Sequence, residues 1–409
     1  MKKELLEKYA RAIATIGANP KKGQPVILTA QADQWEFANM VTEELYKAGA
    51  GSISLKWECQ KNSVLRYTYE DEDTLSCVHK YEEAQWQEMV DTLPCRVLLD
   101  SEDPDGLKNA PMEKVQRANQ KRRKIYKPYR DAVDNLHQWV IAAVPSKEWA
   151  KKVYPNESDE NALEHLWREI LSSCHIDENS DPVEAWKKHN ETLRTNAQKM
   201  TDYNFQYLTY KSPNGTDFKC ELLPDGIWCG GSAKTKGNVE FSPNMPTEEV
   251  FTSPLRGKCE GTLTATKPLS YMGNLIENFS ITFKDGKAVS CKAEKGQEIL
   301  EKMISMDENA AYLGELALVP VDSPISRSNV LFYNTLFDEN AACHVALGAG
   351  FNECVRDFEK YTEKELFEKG INDSIIHVDF MIGCDTLEIT GHTNDGRDIT
   401  VFKNGNWAI

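Results

Sequence analysis

The run Ser374-Ile-Ile-His377-Val-Asp379-Phe-Met381 sets the hardest condition on how this chain can fold. Its β-branched and aromatic residues favour a strand, and on a strand residues two apart share a face. His377 and Asp379 therefore point the same way in a segment whose neighbours favour burial. Two ionisable groups are costly there without a partner, and a divalent cation suits both. Taken alone, His-x-Asp is more often a salt bridge or a solvent-facing pair. The preceding stretch adds weight to the cation, because Glu315, Glu339 and His344 follow one another in an order that suits a metal site, and Glu249 lies upstream.

Glu339 and His344 are five residues apart, which on a regular helix places them roughly 140° round from each other. They share a site only if Glu339 stands at a helix start or in the loop before it, and Asp338 is a suitable N-cap for a helix beginning there. Cys343-His344 invites a thiol-protease reading, but adjacent residues point apart on helix or strand, so they form no nucleophile–base pair. The thiol is expected to pack. There is no Gly-x-Ser-x-Gly elbow, Ser323 lacks a visible base, and the cysteines and histidines miss zinc-finger spacing. What remains is a carboxylate-rich, two-histidine set. Such ligation suits zinc, cobalt, manganese or magnesium and is common where two ions share a carboxylate, the arrangement used for metal-assisted hydrolysis.

At 409 residues the chain is long enough for two cores. A formal charge of −16 disfavours a general nucleic-acid or anionic-membrane binder, each of which needs a basic face. The Met1-Lys-Lys-Glu-Leu-Leu start is a charged amphipathic helix with no apolar signal region, and no long apolar run predicts a membrane span. Eleven cysteines without a Cys-x-x-Cys pair fit reduced thiols in a cytosol.

Residues 1–202 read as an α/β domain with a parallel sheet. Pro25–Ala30, Ser52–Trp57, Arg96–Asp100 and Trp139–Val144 are strand-like, and Trp35–Tyr46 is helical and stopped at Gly49. The loop Gln31-Ala-Asp-Gln-Trp35 has no glycine-rich phosphate cradle, which argues against a dinucleotide site and for a structural or substrate-shaping domain. The basic run Asn119-Gln-Lys-Arg-Arg-Lys124 reads as a solvated helix face. His137, His165, His175 and His189 are scattered and are expected to be surface or packing residues. From 203 to 409 the chain reads as a mainly antiparallel, β-rich α+β domain. The pairs Asp285-Gly286, Asp395-Gly396 and Asn404-Gly405 predict tight hairpins, and a helix is expected over about Gln297–Ser305.

With these residues in view, the chain resembles the thermophilic metallo-aminopeptidase family. The resemblance is carried by Asn244-Met-Pro-Thr-Glu-Glu249-Val-Phe-Thr-Ser-Pro254, Leu313-Gly-Glu315, Asn334-Thr-Leu-Phe-Asp-Glu339-Asn-Ala-Ala-Cys-His344-Val-Ala-Leu-Gly348, His377-Val-Asp379-Phe-Met-Ile-Gly383 and the Gly-Asn-Trp407 ending. It implies a two-metal exopeptidase that removes N-terminal residues from peptides and works as a homodimer. It also implies metal ligands at Glu249, Glu315, Glu339, His344, His377 and Asp379, with Glu249 chosen over Glu248 because the family's ligand directly precedes Val-Phe-Thr. Glu315 is implied to bridge the ions, and Glu315 or Glu249 to shuttle the proton. One position departs: the family's tyrosine seven residues after the metal histidine is Phe351 here, which has no hydroxyl to bind a tetrahedral intermediate or give it a proton. The alternatives are a non-catalytic peptide- or metal-binding protein on the same scaffold, or another metallohydrolase such as a dipeptidase or amidase.

Overall fold

The computed structural model describes residues 1–271 and 274–409. The chain divides into two compact units, Met1–Lys188 with Ser232–Pro246, and His189–Gly231 with Thr247–Ile409. The boundary expected at 202 falls near the end of the helix Pro182–Tyr203, whereas the units part inside that helix. Residues 232–246 return to the first unit because Asn244–Met245 pairs in parallel with Ile141 and Ala142. A two-residue pairing leaves no periodic trace in a sequence.

In the first unit, β1 (Pro25–Gln31), β2 (Ser52–Glu58), β3 (Cys95–Asp100) and β4 (Trp139–Ala143) form a parallel sheet in the order β4-β3-β1-β2. Alternation sets the register: Val26, Leu28 and Ala30 lie opposite Cys95, Val97 and Leu99, and all six are buried. The helix Trp35–Ala48 turns Phe37, Ala38, Val41 and Leu45 inward at helical spacing. It ends at Gly49, whose φ of 112° suits a residue without Cβ. The basic run lies on the helix Met112–Val133. Its cations are partnered as well as solvated: Lys121 reaches Glu72 at 2.9 Å and Arg122 reaches Glu82 at 2.5 Å.

The second unit holds a nine-stranded sheet and a five-stranded sheet, both antiparallel. Asn274–Lys284 and Lys287–Lys295 form the expected hairpin, with Asp285 at φ 51° and Gly286 at φ 77°. Asn404 and Gly405 repeat that conformation at φ 52° and 69°. Such consecutive positive φ values match a turn whose twist suits the strands it joins. The helix Gln297–Ile304 lies where it was expected and buries Leu300 and Met303. These belong to one apolar cluster that also takes Phe218, Phe279 and Phe283 from the larger sheet and Leu316, Val345, Val378 and Phe380 from the smaller. The parallel α/β first unit and β-rich second unit agree with the expected fold class. No helix among the described residues is long and apolar enough to cross a membrane.

The approach to the strand His377–Met381 is pinned by Asp307. Its carboxylate accepts from Ser374 Oγ at 2.7 Å and from the amides of Ile375 at 2.8 Å and Asn309 at 2.7 Å. Burial would raise Asp307, yet these donors hold it below the ordinary carboxylate range. A depressed folded-state pKa stabilises the fold above the unfolded value of about 3.9, and that stabilisation is lost as pH falls through the folded value. Asp307→Ala is expected to cost about 1–2 kcal/mol near neutrality, discounted for solvent, with the difference from wild type shrinking below about pH 4. Denaturant melts at several pH values read both effects.

Candidate metal centre

The smaller sheet of the second unit runs Cys229–Gly230, Val250–Thr252, Leu313–Leu318, His344–Gly348, His377–Met381, each strand antiparallel to the next. Its register puts Glu315 opposite Ala346 and Ala346 opposite Asp379. Ala317 lies between Phe251 and His344, and Gly348 lies opposite His377. Directly paired residues share a face, as do residues two apart. One face therefore carries Glu315, His344, His377 and Asp379, and Glu249 joins it two residues before Phe251. The other face carries Leu316, Val345, Leu347, Val378 and Phe380, which lie in the apolar cluster. Strand alternation thus builds core and polar site from the same residues' neighbours.

The side chains converge as two triads that share one carboxylate. Glu249, Glu315 and His344 bring one ligand atom each within 4.8 Å of one another, and so do Glu315, His377 and Asp379. His344 Nε2 is 3.3 Å from Glu249, and His377 Nε2 is 3.1 Å from Glu315 and 3.4 Å from Asp379. Two ligands at about 2.1 Å from a tetrahedral ion stand roughly 3.4 Å apart, so the donor set fits such ions. Asp379 Oδ1 is buried and accepts no well-aligned hydrogen bond.

Both imidazoles are oriented by the backbone. A carbonyl can only accept, so His344 Nδ1–H donates to Ala342 O at 3.1 Å and His377 Nδ1–H donates to Ala349 O at 2.7 Å. Each ring thereby commits Nδ1 and aims Nε2 at the carboxylates, the arrangement that fixes a metal-binding histidine.

Electrostatics report the crowding. Burial, with the charges of Asp379 and Glu249, lifts Glu315 to about 7 against the opposing bond from His377. Burial would lower His344, but Glu249 and the neighbouring carboxylates raise it to about 10. His377 is likewise raised against its burial by Asp379 and Glu315, and it holds Asp379 down against the upward push of burial. Glu339 stands outside both triads, yet burial and the charges of Asp379 and Glu249 push it well above the usual carboxylate range. Four carboxylates face two imidazoles, and the raised Glu315 and Glu339 show that all four cannot ionise together without further positive charge. Divalent cations are the partner this imbalance calls for.

The structure corrects how Glu339 and His344 come together. The helix is Thr335–Asp338, capped by Asn334, whose side chain accepts from Leu336 N at 3.0 Å. Asp338 closes that helix instead of opening one, and its carboxylate accepts from the amides of Phe332 at 2.8 Å and Asn334 at 3.1 Å. Glu339 begins a 3-10 turn and His344 begins a strand, so helical angles do not govern the pair. Glu248 turns away from its neighbour toward His189, 3.9 Å off. His189 Nε2 also bonds Thr247 O at 2.7 Å, and His137 Nδ1 bonds Val133 O at 3.1 Å. Cys343 points into the core, where burial pushes its thiol up to about 12. It is no nucleophile.

A profile of the family described as thermophilic metalloprotease (M29) matches residues 2–407. The chain belongs to the M29 thermophilic metalloprotease family. Aminopeptidase AmpS of Bacillus subtilis is 37% identical over 405 residues, 99% of this chain and 98% of that protein. Aminopeptidase PepS of Streptococcus thermophilus is 38% identical over 409 residues, 100% of this chain and 98% of its own. The solved structure of AmpT from Thermus thermophilus superposes with a TM-score of 0.90 at 34% identity, covering 100% of both chains. This M29 chain also shares its fold, at a TM-score of 0.51 and 11% identity, with 2,5-dihydroxypyridine dioxygenase of Pseudomonas putida. A shared fold at that distance says nothing of chemistry, which resides in the side chains of the site.

Three small residues went unread in the sequence. Ala317, Ala346 and Gly348 lie on the ligand face between the acidic and imidazole groups, and their size leaves room there. The signal was the alternation His344-Val-Ala346-Leu-Gly348, large toward the core and small toward the site. Ala346→Val is expected to weaken divalent-ion uptake by about 10–100-fold while the metal-free protein keeps its fold. Metal analysis after dialysis, with circular dichroism, checks it.

Proposed function

We propose that this protein is a metal-dependent aminopeptidase whose second unit holds two divalent ions, zinc, cobalt, manganese or magnesium. The observation that carries the reading is Glu315 shared between two triads, each with an imidazole oriented through Nδ1. Glu249 and His344 complete one shell around Glu315, His377 and Asp379 the other, and Glu339 adds a fourth carboxylate. Ions held there would supply a metal-activated bridging water and would polarise the scissile carbonyl. A substrate's free α-amine would be held at the ions, which selects peptides with an unblocked N-terminus. The chain's own residues do the rest. Either Glu249 or Glu315, together in one triad with His344, is assigned the proton transfer from water to the leaving amine. The kinship with aminopeptidases AmpS, PepS and AmpT supports this substrate class. A cytosolic homodimer goes with the reading, and sedimentation at twice the chain mass tests the dimer.

His344→Ala and Asp379→Ala are each expected to abolish release of free amino acids from a mixed peptide set, with far-ultraviolet dichroism preserved. Stripping the metal should do the same, and reloading with one of the four ions should restore cleavage. An N-acetylated peptide set should remain intact; its cleavage would point to another hydrolase.

Phe351 favours one second reading, a binding protein on a peptidase scaffold. Its ring packs 4.9 Å from the His377 ring and 5.1 Å from Phe251, and offers no donor. Phe351→Tyr is expected to raise kcat by about tenfold or more with KM little changed, since one donor to an oxyanion is worth about 10²–10³. Turnover appearing only in that variant would favour the binding-protein reading for the native chain.

A further inference from the structure

Glu249 and Glu339 are the two site carboxylates that no paired strand holds in place. Glu249 stands just ahead of the short strand Val250–Thr252, and Glu339 opens the single 3-10 turn Glu339–Ala341. Asn340 lies directly beside Glu339 and is 0% exposed. Its Oδ1 accepts from the amide of Glu248 at 2.7 Å, one residue before Glu249. Its Nδ2 donates to Leu336 O at 2.9 Å, and its own carbonyl accepts from Ser323 Oγ at 3.2 Å. The amide orientation is fixed by these partners, since only an oxygen can meet the Glu248 N–H and only an NH₂ the Leu336 carbonyl. No other neutral side chain of this length both accepts on one edge and donates on the other. In a buried setting each of these bonds is expensive to leave unmade.

We propose that Asn340 is a positioning residue for the metal centre. It sets the distance between the Glu249 and Glu339 segments, and so the ion affinity of the Glu249–Glu315–His344 shell. The proposal rests on the two-ion reading above. The Glu315–His377–Asp379 shell is the less dependent on Asn340, because its three residues sit on strands registered through His344–Gly348, although the turn Glu339–Ala341 also packs on the strand His377–Met381. His189 steadies the backbone of Thr247 from its helix, but Asn340 is what ties that segment to the turn bearing Glu339.

The test is a cobalt titration of the metal-free full chain, wild type against Asn340→Leu, followed by visible absorption and calorimetry. The wild type should take two equivalents. In Asn340→Leu one equivalent should bind about 10–100-fold more weakly and the other should weaken far less. A residue that merely supported the fold would not separate the two steps. Two equivalents in the wild type, with both steps weakened alike or neither changed in the variant, overturns the proposal alone. Fewer than two in the wild type overturns the two-ion reading, and the proposal falls with it. Should Asn340→Leu fail to fold, Asn340→Ser, which stays polar but cannot span to Glu248, is read by the same titration and the same outcomes.

Discussion

Two hydrogen bonds from imidazole to main chain hold the chemistry of this molecule in place. Ala342 and Ala349 each accept a hydrogen bond from Nδ1 of a histidine, so neither ring can turn without abandoning a main-chain carbonyl. With the rings fixed, the carboxylates around Glu315 face nitrogen atoms of defined direction, and the excess negative charge of the cluster has one place to be met. The carbonyls themselves lie beside the strand His344–Gly348, whose register with Glu315 and Asp379 is locked by the apolar cluster behind it. The orientation of two protons thus depends on the packing of Leu316, Val345 and Phe380.

Much of this was legible in the sequence because it rests on period-two alternation and local turn chemistry. His377-Val-Asp379 declared its shared face through its β-branched neighbours, and Asp285-Gly286 declared its hairpin through the φ values those residues tolerate. The β-α-β rhythm of the first unit was visible for the same reason. What depended on distant partners was not. The return of Asn244–Met245 to the first unit needs a strand about a hundred residues away, and nothing local marks it.

The neighbourhood of Glu339 shows where residue-type reasoning misleads. Asp338 has the composition of an N-cap, yet Asn334 takes that position and Asp338 serves the loop ahead of it. Asp and Asn satisfy free amides equally well in either setting, and only the direction of the chain decides which. The family resemblance named Glu339 among the candidates without saying how it arrives. It arrives on a turn, held by an asparagine whose partners come from three separate segments.

The alternation on the strand Leu313–Leu318 has a consequence for how the protein fails. Glu315 and Ala317 line the site while Leu316 and Leu318 lie in the core, so the same few residues of backbone serve both. Sites carried on loops commonly come apart well before the body of a protein melts. Here no such early loss is open to the Glu315 carboxylate: it stays in place as long as the sheet does. Loss of Glu315 and global unfolding are then one event, whereas Glu249 and Glu339, on a loop end and a 3-10 turn, can leave earlier, so lengthening the enzyme's working life means fixing that turn as well as repacking the interior.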